Sequence, residues 1–348
     1  MTDMKKHLIN QRDPIAKGLI MLNDLGADLT LFVVDDNNVL LGTLTDGDVR
    51  RGLIKNLSTS DAVEKFMNTK FRFLQRNNYT LQQVEEYKAS SVRMLPIVDS
   101  EKKIYKIVNF AVQQTILPID VLIMAGGEGQ RLRPLTENTP KPLLKVGSKP
   151  IIEYSIDRLA QFGVDKINIS INYLGEQLIN YFKNGEDKNL NISYVKETEK
   201  LGTAGALSLI DNFVHDTVLL MNSDLLTNID FEDLYNNFKN SDADLIVASI
   251  PYKVKIPYAI FEIENENVLS LQEKPTYTYY SNAGIYLLKK EHISCIPKNK
   301  HFNATDLIET LIAKEKKVCY YPILGYWLDI GNIEDFKRAQ EDIKHIKV

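Results

Sequence analysis

Residues 125–142 (AGGEGQRLRPLTENTPKP) combine clustered glycines with arginine and lysine. A backbone without side chains can approach a polyphosphate and direct its N–H groups at the oxygens. The basic residues add fixed positive charge, so we predict that this segment binds phosphate. It is not a P-loop, because no Gly-Lys-Ser/Thr follows, and it lacks the third glycine of the dinucleotide fingerprint. The residues assigned here are Ala125, Gly126, Gly127, Gly129, Arg131 and Lys141.

Asp224 ends the triplet Asn-Ser-Asp, which follows the apolar run 218–221. Ligands of open α/β sheets collect at the carboxyl ends of strands, so this carboxylate is a candidate binding group. Asp329 stands in a second segment of this kind, Trp-Leu-Asp-Ile-Gly. The alternative for each aspartate taken alone is a strand-end turn or a cap.

Composition excludes several classes of protein. The 348 residues carry 42 Lys+Arg against 46 Asp+Glu, a net charge of −4, which argues against nucleic-acid binding. Two cysteines fit neither a disulfide framework nor a zinc site. No apolar stretch reaches the roughly 18 residues that span a bilayer, and the N-terminus has no apolar signal region. We therefore expect a cytoplasmic protein without membrane partners, whose five histidines have no ligand or catalytic spacing.

The first 117 residues contain an internal repeat. Residues 31–35 (LFVVD) match residues 95–99 (LPIVD), and each half predicts a helix, a strand, a turn and a strand. One such unit cannot cover its own sheet, so we predict that repeats at about 8–58 and 59–117 pack together as one α+β domain.

This region resembles a tandem pair of CBS modules, most clearly at residues 42–51 (GTLTDGDVRR). The resemblance implies that Thr45 and Asp48 hold the ribose of an adenine nucleotide. An ordinary helix cap is the alternative reading of Thr-x-x-Asp. The second repeat has Asn109 and Val112 at these positions, so at most one typical nucleotide site is expected, and the domain could serve only for dimerisation.

From residue 119 onward, apolar strand runs alternate with helical patterns, which predicts an α/β domain with a parallel or mixed sheet. Pro150 begins a helix that stops at Gly163, and a terminal helix covers 333–345. Residues 277–280 (YTYY) are predicted to form a loop packed on the sheet. The predicted strands are 119–124, 166–172, 218–221, 245–250, 268–272, 284–288 and 318–323.

Residues 119–345 resemble the sugar-1-phosphate nucleotidyltransferases, also called NDP-sugar pyrophosphorylases. The resemblance implies a Rossmann-like α/β/α fold with a mixed sheet. It also implies in-line attack of a sugar 1-phosphate on the α-phosphorus of a nucleoside triphosphate, without a covalent enzyme intermediate. Arg131 would then stabilise the departing pyrophosphate and Lys141 the α-phosphate. The family pattern brings Asp224 and Asp329 together as ligands of Mg²⁺.

Further motifs carry substrate-binding roles by the same resemblance. Residues 201–206 (LGTAGA) would form the loop between base and sugar, followed by a helix, with Gly202 and Thr203 on the nucleotide. Glu197 would read the base. A carboxylate only accepts hydrogen bonds and can bridge the two adjacent N–H donors of guanine, so guanine is expected; a solvent-facing Glu197 is the alternative. The residues implied for the sugar phosphate are Glu273, Lys274, Asn282 and Gly284.

The sequence thus predicts two domains, 1–117 and 118–348, in a homo-oligomer. Their arrangement resembles that of guanylyltransferases for legionaminic acid, with GTP and glucosamine 1-phosphate as substrates. Uridylyl, thymidylyl or cytidylyl transfer on the same scaffold is the nearest alternative. A non-catalytic regulatory subunit that senses nucleotides is the second. An NAD-dependent oxidoreductase is excluded by the missing third glycine and acidic ribose reader.

Overall fold

The computed structural model describes residues 4–90, 92–188 and 190–346. The chain divides into two compact units. The first runs to Pro118 and includes Ala160–Val164, and the second comprises Ile119–Leu159 and the chain from Asp165 onward. None of the helices in the described ranges has the length and apolar character to cross a membrane.

The first unit contains two three-stranded sheets with the same topology. In each sheet the first strand runs parallel to the second, which is antiparallel to the third. Both antiparallel pairs have a register shift at the matching position, between Val33 and Val34 and between Ile97 and Val98. The strands are β1 (Leu8–Asn10), β2 (Leu31–Val34), β3 (Leu40–Leu44), β4 (Leu74–Gln75), β5 (Met94–Val98) and β6 (Ile104–Asn109).

Helices α1 (Ile15–Asp24) and α3 (Leu81–Ala89) precede the antiparallel pairs, and α2 (Asp46–Ile54) follows β3. A shared apolar cluster joins the two halves of this unit, since Phe32 of the first packs with Met94 of the second. Neither half therefore has to cover its sheet alone.

The second unit is built on a seven-stranded sheet, which is mixed, as predicted. The predicted strand 268–272 is not part of it but pairs in a separate hairpin, and the strand at 191–196 was not predicted. The strand order of the sheet is β11-β10-β7-β12-β17-β14-β18. The first four of these strands are parallel, and β17 is antiparallel to both neighbours. The strands are β7 (Asp120–Met124), β10 (Lys166–Ile171), β11 (Asn191–Lys196), β12 (Thr217–Asn222), β14 (Leu245–Lys255), β17 (Thr276–Lys289) and β18 (Val318–Pro322).

Three two-stranded ribbons complete the strands of this unit. They pair β8 with β9, β13 with β19 and β15 with β16. The ribbon strands are β8 (Lys145–Val146), β9 (Lys149–Pro150), β13 (Leu225–Thr227), β15 (Ile260–Glu264), β16 (Asn267–Gln272) and β19 (Trp327–Asp329). The helices of this part of the chain are α4 (Ile151–Gln161), α5 (Gly175–Phe182), α6 (Phe231–Asn240), α7 (Ala304–Ala313) and α8 (Ile333–Asp342).

Two apolar clusters hold the elements that surround the ends of the parallel strands. Leu122 and Leu220 of the sheet pack with Leu307 of α7 in one cluster. In the other, Leu226 of β13 and Leu328 of β19 pack with other buried apolar side chains. The second cluster therefore fixes the β13–β19 ribbon. Asp224 directly precedes β13, and Asp329 is the last residue of β19.

Two local predictions were wrong. The loop at residues 201–206 is followed by a short 3₁₀ turn, Gly205–Leu209, and not by an α-helix. Tyr277–Tyr280 do not form a packed loop, because β17 begins at Thr276 and pairs with β14 along this stretch. Tyr279 and Tyr280 are exposed there.

Candidate active site

A cavity of about 550 Å³ lies where β7 and β12 end, lined by Met124 and Asn222 among others. The carboxyl ends of parallel strands meet at one edge of a sheet, which is where open α/β folds place ligands. Nine of the residues predicted from the sequence line this cavity: Gly126, Gly127, Gly129, Arg131, Lys141, Glu197, Gly202, Thr203 and Asp224.

The glycine loop leaves β7 with its backbone facing the cavity. The buried Ala125 holds the start of the loop by donating its N–H to Ser170 O at 3.0 Å. A side chain at Gly127 would meet no protein atom within 4 Å, so the space there is open to a ligand. Gly129 has φ +61 and lies against Lys141 and Thr136, where a Cβ would be crowded. Position 129 therefore requires glycine, and the backbone at position 127 is accessible to a ligand.

Lys141 lies between two carboxylates. Its ammonium donates a hydrogen bond to Asp224 Oδ2 and lies 4.0 Å from Asp329 Oδ1. Arg131 follows the glycines on a 3₁₀ turn, and its guanidinium packs over Gly331. Two cations thus lie next to two carboxylates, all on separate segments of the chain. Arg131, Lys141 and Asp224 line the cavity, whereas Asp329 does not.

Asp224 and Asp329 are brought together by the β13–β19 ribbon. Leu225 pairs with Asp329 in its register, and Ile330 N–H donates to Asp224 O at 3.1 Å. Burial raises the pKa of Asp329 to about 6, and the negative charge of Asp224 adds to the rise. The positive charges of the protein therefore only partly compensate the negative charge of the Asp329 carboxylate.

The two carboxylates fit a magnesium ion. Among the described residues, none donates a hydrogen bond to Asp224 Oδ1 or Asp329 Oδ1, although both atoms are buried. Buried polar atoms normally have partners, and hard carboxylate oxygens are the ligands that Mg²⁺ prefers.

Glu197 is held at the edge of the cavity, just after β11. Its backbone is fixed by Ile171 O, which accepts the Glu197 N–H at 2.9 Å, and by Asn172 Nδ2, which donates to Glu197 O at 2.8 Å. Oε2 of this buried side chain accepts Leu201 N–H at 3.2 Å. Oε1 lies beside Gly126, where a Cβ would come within 3.0 Å of it. One face of the carboxylate is thus turned toward the glycine loop.

Gly202 and Thr203 are attached to the start of α7. Thr203 N–H donates to Asn303 Oδ1 at 3.3 Å, and Thr203 Oγ1 accepts Ala304 N–H at 2.8 Å. Gly202 has φ +76, and a Cβ would fall 2.7 Å from Asn303 Oδ1. The close approach of α7 explains why this loop needs glycine.

The four residues expected at the sugar phosphate do not line the cavity. Glu273 and Lys274 are exposed and lie near each other, with 4.0 Å between Oε1 and Nζ. Asn282 lies inside β17, not at its start, and accepts Gly284 N–H at 2.9 Å. Of these four residues, Gly284 alone packs against a residue that lines the cavity, because a Cβ at Gly284 would fall 2.5 Å from Asn222 Nδ2.

Comparison with known proteins identifies the family. The profile of the nucleotidyl transferase family matches residues 120–346. The chain belongs to the nucleotidyl transferase family. This match covers the whole seven-stranded sheet and every residue that surrounds the cavity.

Relatives of this nucleotidyl transferase include sugar-phosphate nucleotidyltransferases. The bifunctional protein GlmU of Methanocaldococcus jannaschii is 33% identical over 230 residues, 64% of this chain and 54% of that protein. The mannose-1-phosphate guanyltransferase of Yarrowia lipolytica is 33% identical over 223 residues, 62% of this chain and 61% of that protein. The chain thus spans slightly more than half to three fifths of these relatives.

A solved structure shares the fold. The crystal structure described as a glucose-1-phosphate thymidylyltransferase of Bacillus anthracis matches with a TM-score of 0.54 and 24% identity. The match covers 66% of this chain and 97% of that one. At this identity the similarity supports the mixed α/β fold of the nucleotidyl transferase and nothing finer.

Sequence reasoning missed several residues of the nucleotidyl transferase cavity. Glu128 and Lys200 line it and form an ion pair at 2.5 Å, which connects the glycine loop to the segment before Gly202. His301 also lines it, brought there because Phe302 N–H donates to Leu201 O at 2.8 Å. The motif around Asp224 pointed to Asn222 and Ser223, but no local pattern could have found His301.

Thr45 and Asp48 of the first unit form a reciprocal capping box at the start of α2. Asp48 Oδ2 accepts from Thr45 N–H at 2.9 Å and from its hydroxyl at 2.6 Å, while Oδ1 bonds Arg51 at 2.5 Å. The helix-cap alternative accounts for these contacts. A nucleotide ribose would have to displace at least one of them.

Proposed function

We propose that residues 118–348 form a catalytic domain that transfers a nucleoside monophosphate from a nucleoside triphosphate to a sugar 1-phosphate. The observation that carries this proposal is the group at the cavity: Lys141 between two carboxylates that each keep a buried oxygen without a donor. A non-catalytic scaffold has no need of this costly arrangement. The mannose-1-phosphate guanyltransferase among the relatives supports the same reaction class.

The reaction brings two polyanions together, so charge neutralisation and positioning supply most of the catalysis. An oxygen of the sugar 1-phosphate attacks the α-phosphorus of the triphosphate, and the bond to the β-phosphate oxygen breaks. The nucleotide sugar forms, and pyrophosphate leaves with the electron pair of that bond. No bond to the protein is made.

Each basic residue has a separate role in this scheme. Lys141 neutralises charge that grows at the α-phosphate, and Arg131 holds the β- and γ-phosphates and stabilises the departing pyrophosphate. The backbone of the glycine loop, open at Gly127, accommodates the phosphates. Asp224 and Asp329 would hold Mg²⁺, which supplies Lewis-acid neutralisation of phosphate oxygens when bound.

The nucleotide is GTP in this proposal. Oε1 of Glu197 lies beside Gly126, and each carboxylate oxygen can accept more than one hydrogen bond. The bond from Leu201 therefore leaves capacity for the N1–H and N2–H donors of guanine. Gly202 and Thr203 flank the nucleotide. Uracil, thymine and cytosine offer no such adjacent pair of ring and amino donors, which makes UTP, dTTP and CTP the second candidates.

The acceptor is glucosamine 1-phosphate, as in guanylyltransferases of legionaminic acid synthesis. Lys274 binds its phosphate and Glu273 its hydroxyl groups, while Asn282 and Gly284 border the hexose. Support comes from Gly284, which packs on the cavity-lining Asn222. Glu273 and Lys274 lie outside the cavity, so this half of the site requires movement of their segment toward it.

The N-terminal residues 1–117 form a CBS pair in this proposal, with an adenine nucleotide at Thr45 and Asp48. The repeated topology of the two three-stranded sheets supports the paired modules. The alternative is a purely structural role for that motif, as the helix cap that Thr45 and Asp48 form. Titration of the full chain with AMP and ATP decides between them, since saturable binding that Asp48→Ala removes is expected only of a nucleotide site.

Pyrophosphate release tests the catalytic proposal. The full chain is incubated with Mg²⁺, each of GTP, UTP, dTTP and CTP, and a panel of sugar 1-phosphates. We expect turnover with GTP and glucosamine 1-phosphate, and a loss of at least about tenfold in kcat/KM for GTP in Glu197→Gln, because an amide has only one acceptor oxygen. Turnover with UTP and none with GTP would reject the guanine assignment. No turnover with any pair would favour the regulatory-subunit alternative.

A further inference from the structure

Thr136 is a buried polar residue that contacts the glycine loop from outside the cavity. Its side chain is completely buried and does not line the cavity. Its hydroxyl donates a hydrogen bond to Gly129 O at 2.9 Å. A buried hydroxyl is unfavourable unless it is bonded, and valine has a similar size without this cost. The bond to Gly129 is therefore what distinguishes threonine from valine at this position.

The carbonyl of Gly129 accepts two hydrogen bonds. Besides the Thr136 hydroxyl, Leu132 N–H donates to it at 2.9 Å and closes the 3₁₀ turn Gln130–Leu132. Gly129 has φ +61, and a glycine peptide is easier to rotate than that of any other residue. The bond from Leu132 can maintain the turn by itself. The bond from Thr136 adds a second restraint, which fixes the plane of the peptide that follows Gly129.

The backbone N–H of Gln130 belongs to the same peptide. This peptide is trans and planar, so its N–H points opposite to its C=O. Because Gly129 O is directed at the buried Thr136, the Gln130 N–H points away from Thr136. Both Gly129 and Gln130 line the cavity, and no oxygen within the described ranges accepts the Gln130 N–H. A backbone N–H without a protein acceptor at a cavity is a donor for an anionic ligand.

The backbone of Thr136 is itself attached to the start of α5. The hydroxyl of Tyr173, just before this helix, lies 3.0 Å from Glu137 O and 3.2 Å from Thr136 O and can donate to either. Gln177, in the first turn of the helix, donates its Nε2 to Asn138 O at 2.9 Å. The Thr136 hydroxyl therefore has a fixed position, and the Gly129 peptide is held against it.

We propose that Thr136 is a positioning residue, whose hydroxyl fixes the Gly129–Gln130 peptide so that the Gln130 N–H donates to a phosphate of the nucleoside triphosphate. This inference rests on the proposed function, because the ligand is the triphosphate of that reaction. The neighbouring Arg131 holds the β- and γ-phosphates in that scheme. The Gln130 N–H donates to the same phosphates, so its bond is also made to the pyrophosphate product.

Three substitutions at Thr136 separate the hydroxyl from the methyl group. Thr136→Ser keeps the hydroxyl, Thr136→Val keeps the methyl group, and Thr136→Ala removes both. The Kd of Mg²⁺-pyrophosphate is measured by titration calorimetry, and kcat and KM for GTP by pyrophosphate release. We expect Kd and KM to rise about 5- to 10-fold in the valine and alanine variants, with kcat changed less than about threefold, because the lost bond is made equally before and during the reaction.

Rescue by serine distinguishes positioning from packing. Thr136→Ser should stay within about twofold of wild type in Kd and KM, because it retains the donor to Gly129 O. A role in packing alone would make the valine variant behave like wild type and the serine variant like alanine. That result would overturn the proposal. The comparison of serine with alanine decides the question even where Thr136→Val does not fold.

Thr217→Val is the matched control, because Thr217 is also fully buried and begins β12, whose other end is at the cavity. It should leave Kd and KM unchanged whatever its unfolding temperature, and an equal rise in this control would refute a specific role of Thr136. Pyrophosphate binding by wild type that is retained in Thr136→Val and Thr136→Ala would reject only the inference. A wild type that neither binds nor releases pyrophosphate would reject the proposed function together with the inference.

Discussion

Asp224 and Asp329 lie side by side, because the strand that begins at Leu225 pairs antiparallel with the strand that ends at Asp329. Lys141 bonds Asp224 and lies 4.0 Å from Asp329 Oδ1. One lysine thus faces two carboxylates, and each carboxylate keeps a buried oxygen without a donor among the described residues. Folding this group costs free energy, which Lys141 offsets in part and a bound cation would offset further.

Replacing Asp329 by Asn should leave folding intact. Burial and the charge of Asp224 disfavour the ionised side chain, so the neutral amide relieves repulsion. We expect an unfolding temperature equal to or above that of wild type in magnesium-free buffer, with turnover reduced at least about 100-fold. Differential scanning calorimetry and pyrophosphate release measure the two effects. The exposed Asp211→Asn should alter neither, and a clear loss of stability in Asp329→Asn would show that the carboxylate is a structural group.

Replacing Lys141 by Met should have the opposite effect on stability. The two carboxylates then face each other without the ammonium, so the unfolding temperature should fall, and added Mg²⁺ should restore part of it. Turnover should fall at least about 100-fold, because charge at the α-phosphate is no longer neutralised. Lys145→Met, at an exposed lysine of β8, is the control. Unchanged stability with or without Mg²⁺ would contradict the role of Lys141 between the carboxylates.

The ion pair of Glu128 and Lys200 should affect triphosphate binding. The bond from Lys200 lowers the pKa of Glu128 and compensates a negative charge inside the glycine loop. Lys200→Met leaves that charge facing the phosphates, so KM for the triphosphate should rise about 5- to 10-fold with little change in kcat. Adding Glu128→Gln should reverse most of the rise. Lys196→Met is the matched control, because its exposed pair with Glu176 does not line the cavity. An equal rise in the control would show a general effect of surface charge.

Sequence patterns predicted the sheet well where strands are buried. The apolar run 218–221 became β12 of the seven-stranded sheet, because fully buried strands favour uninterrupted apolar residues. Residues 166–172, in which isoleucines alternate with polar residues, became β10. The extension of β14 to Lys255 was not predicted, since its last residues are exposed and contribute no apolar run. For the same reason Tyr277–Tyr280 resembled a loop.

Some residues of the candidate site could be predicted from local sequence patterns, and others could not. Glycines and charged residues that act through local geometry, such as Gly129 and Lys141, could be found from the sequence. His301 could not, because only the backbone bond from Phe302 to Leu201 brings it to the cavity. The 3₁₀ turn at Gly205–Leu209 is another such case, since the segment is too short for its residues to show a helical period.

Asp244 should make stability depend on pH. Burial alone would raise its pKa, but bonds from His292 at 2.8 Å, Lys317 N–H at 2.9 Å and Lys289 outweigh this and lower the pKa from 3.8 to about 2. A depressed folded-state pKa stabilises the fold above the unfolded value, and this contribution is lost as the pH falls from 3.8 toward 2. We therefore expect Asp244→Asn to be less stable than wild type near neutral pH, by a margin that shrinks in acid.

Urea unfolding of wild type and Asp244→Asn at about pH 6, 4.5 and 3 measures this margin. The exposed Asp216→Asn serves as control and should differ little from wild type at any of these pH values. A margin that is constant across the range would mean that the charge of Asp244 does not contribute.

Turnover of Asp224→Asn tests the central claim most directly. Wild type and variant are compared for pyrophosphate release with GTP, glucosamine 1-phosphate and Mg²⁺, alongside their unfolding temperatures without the metal. The account predicts magnesium-dependent release by wild type, a loss of at least about 100-fold in the variant, and nearly equal unfolding temperatures. Release by the variant at the wild-type rate would contradict it.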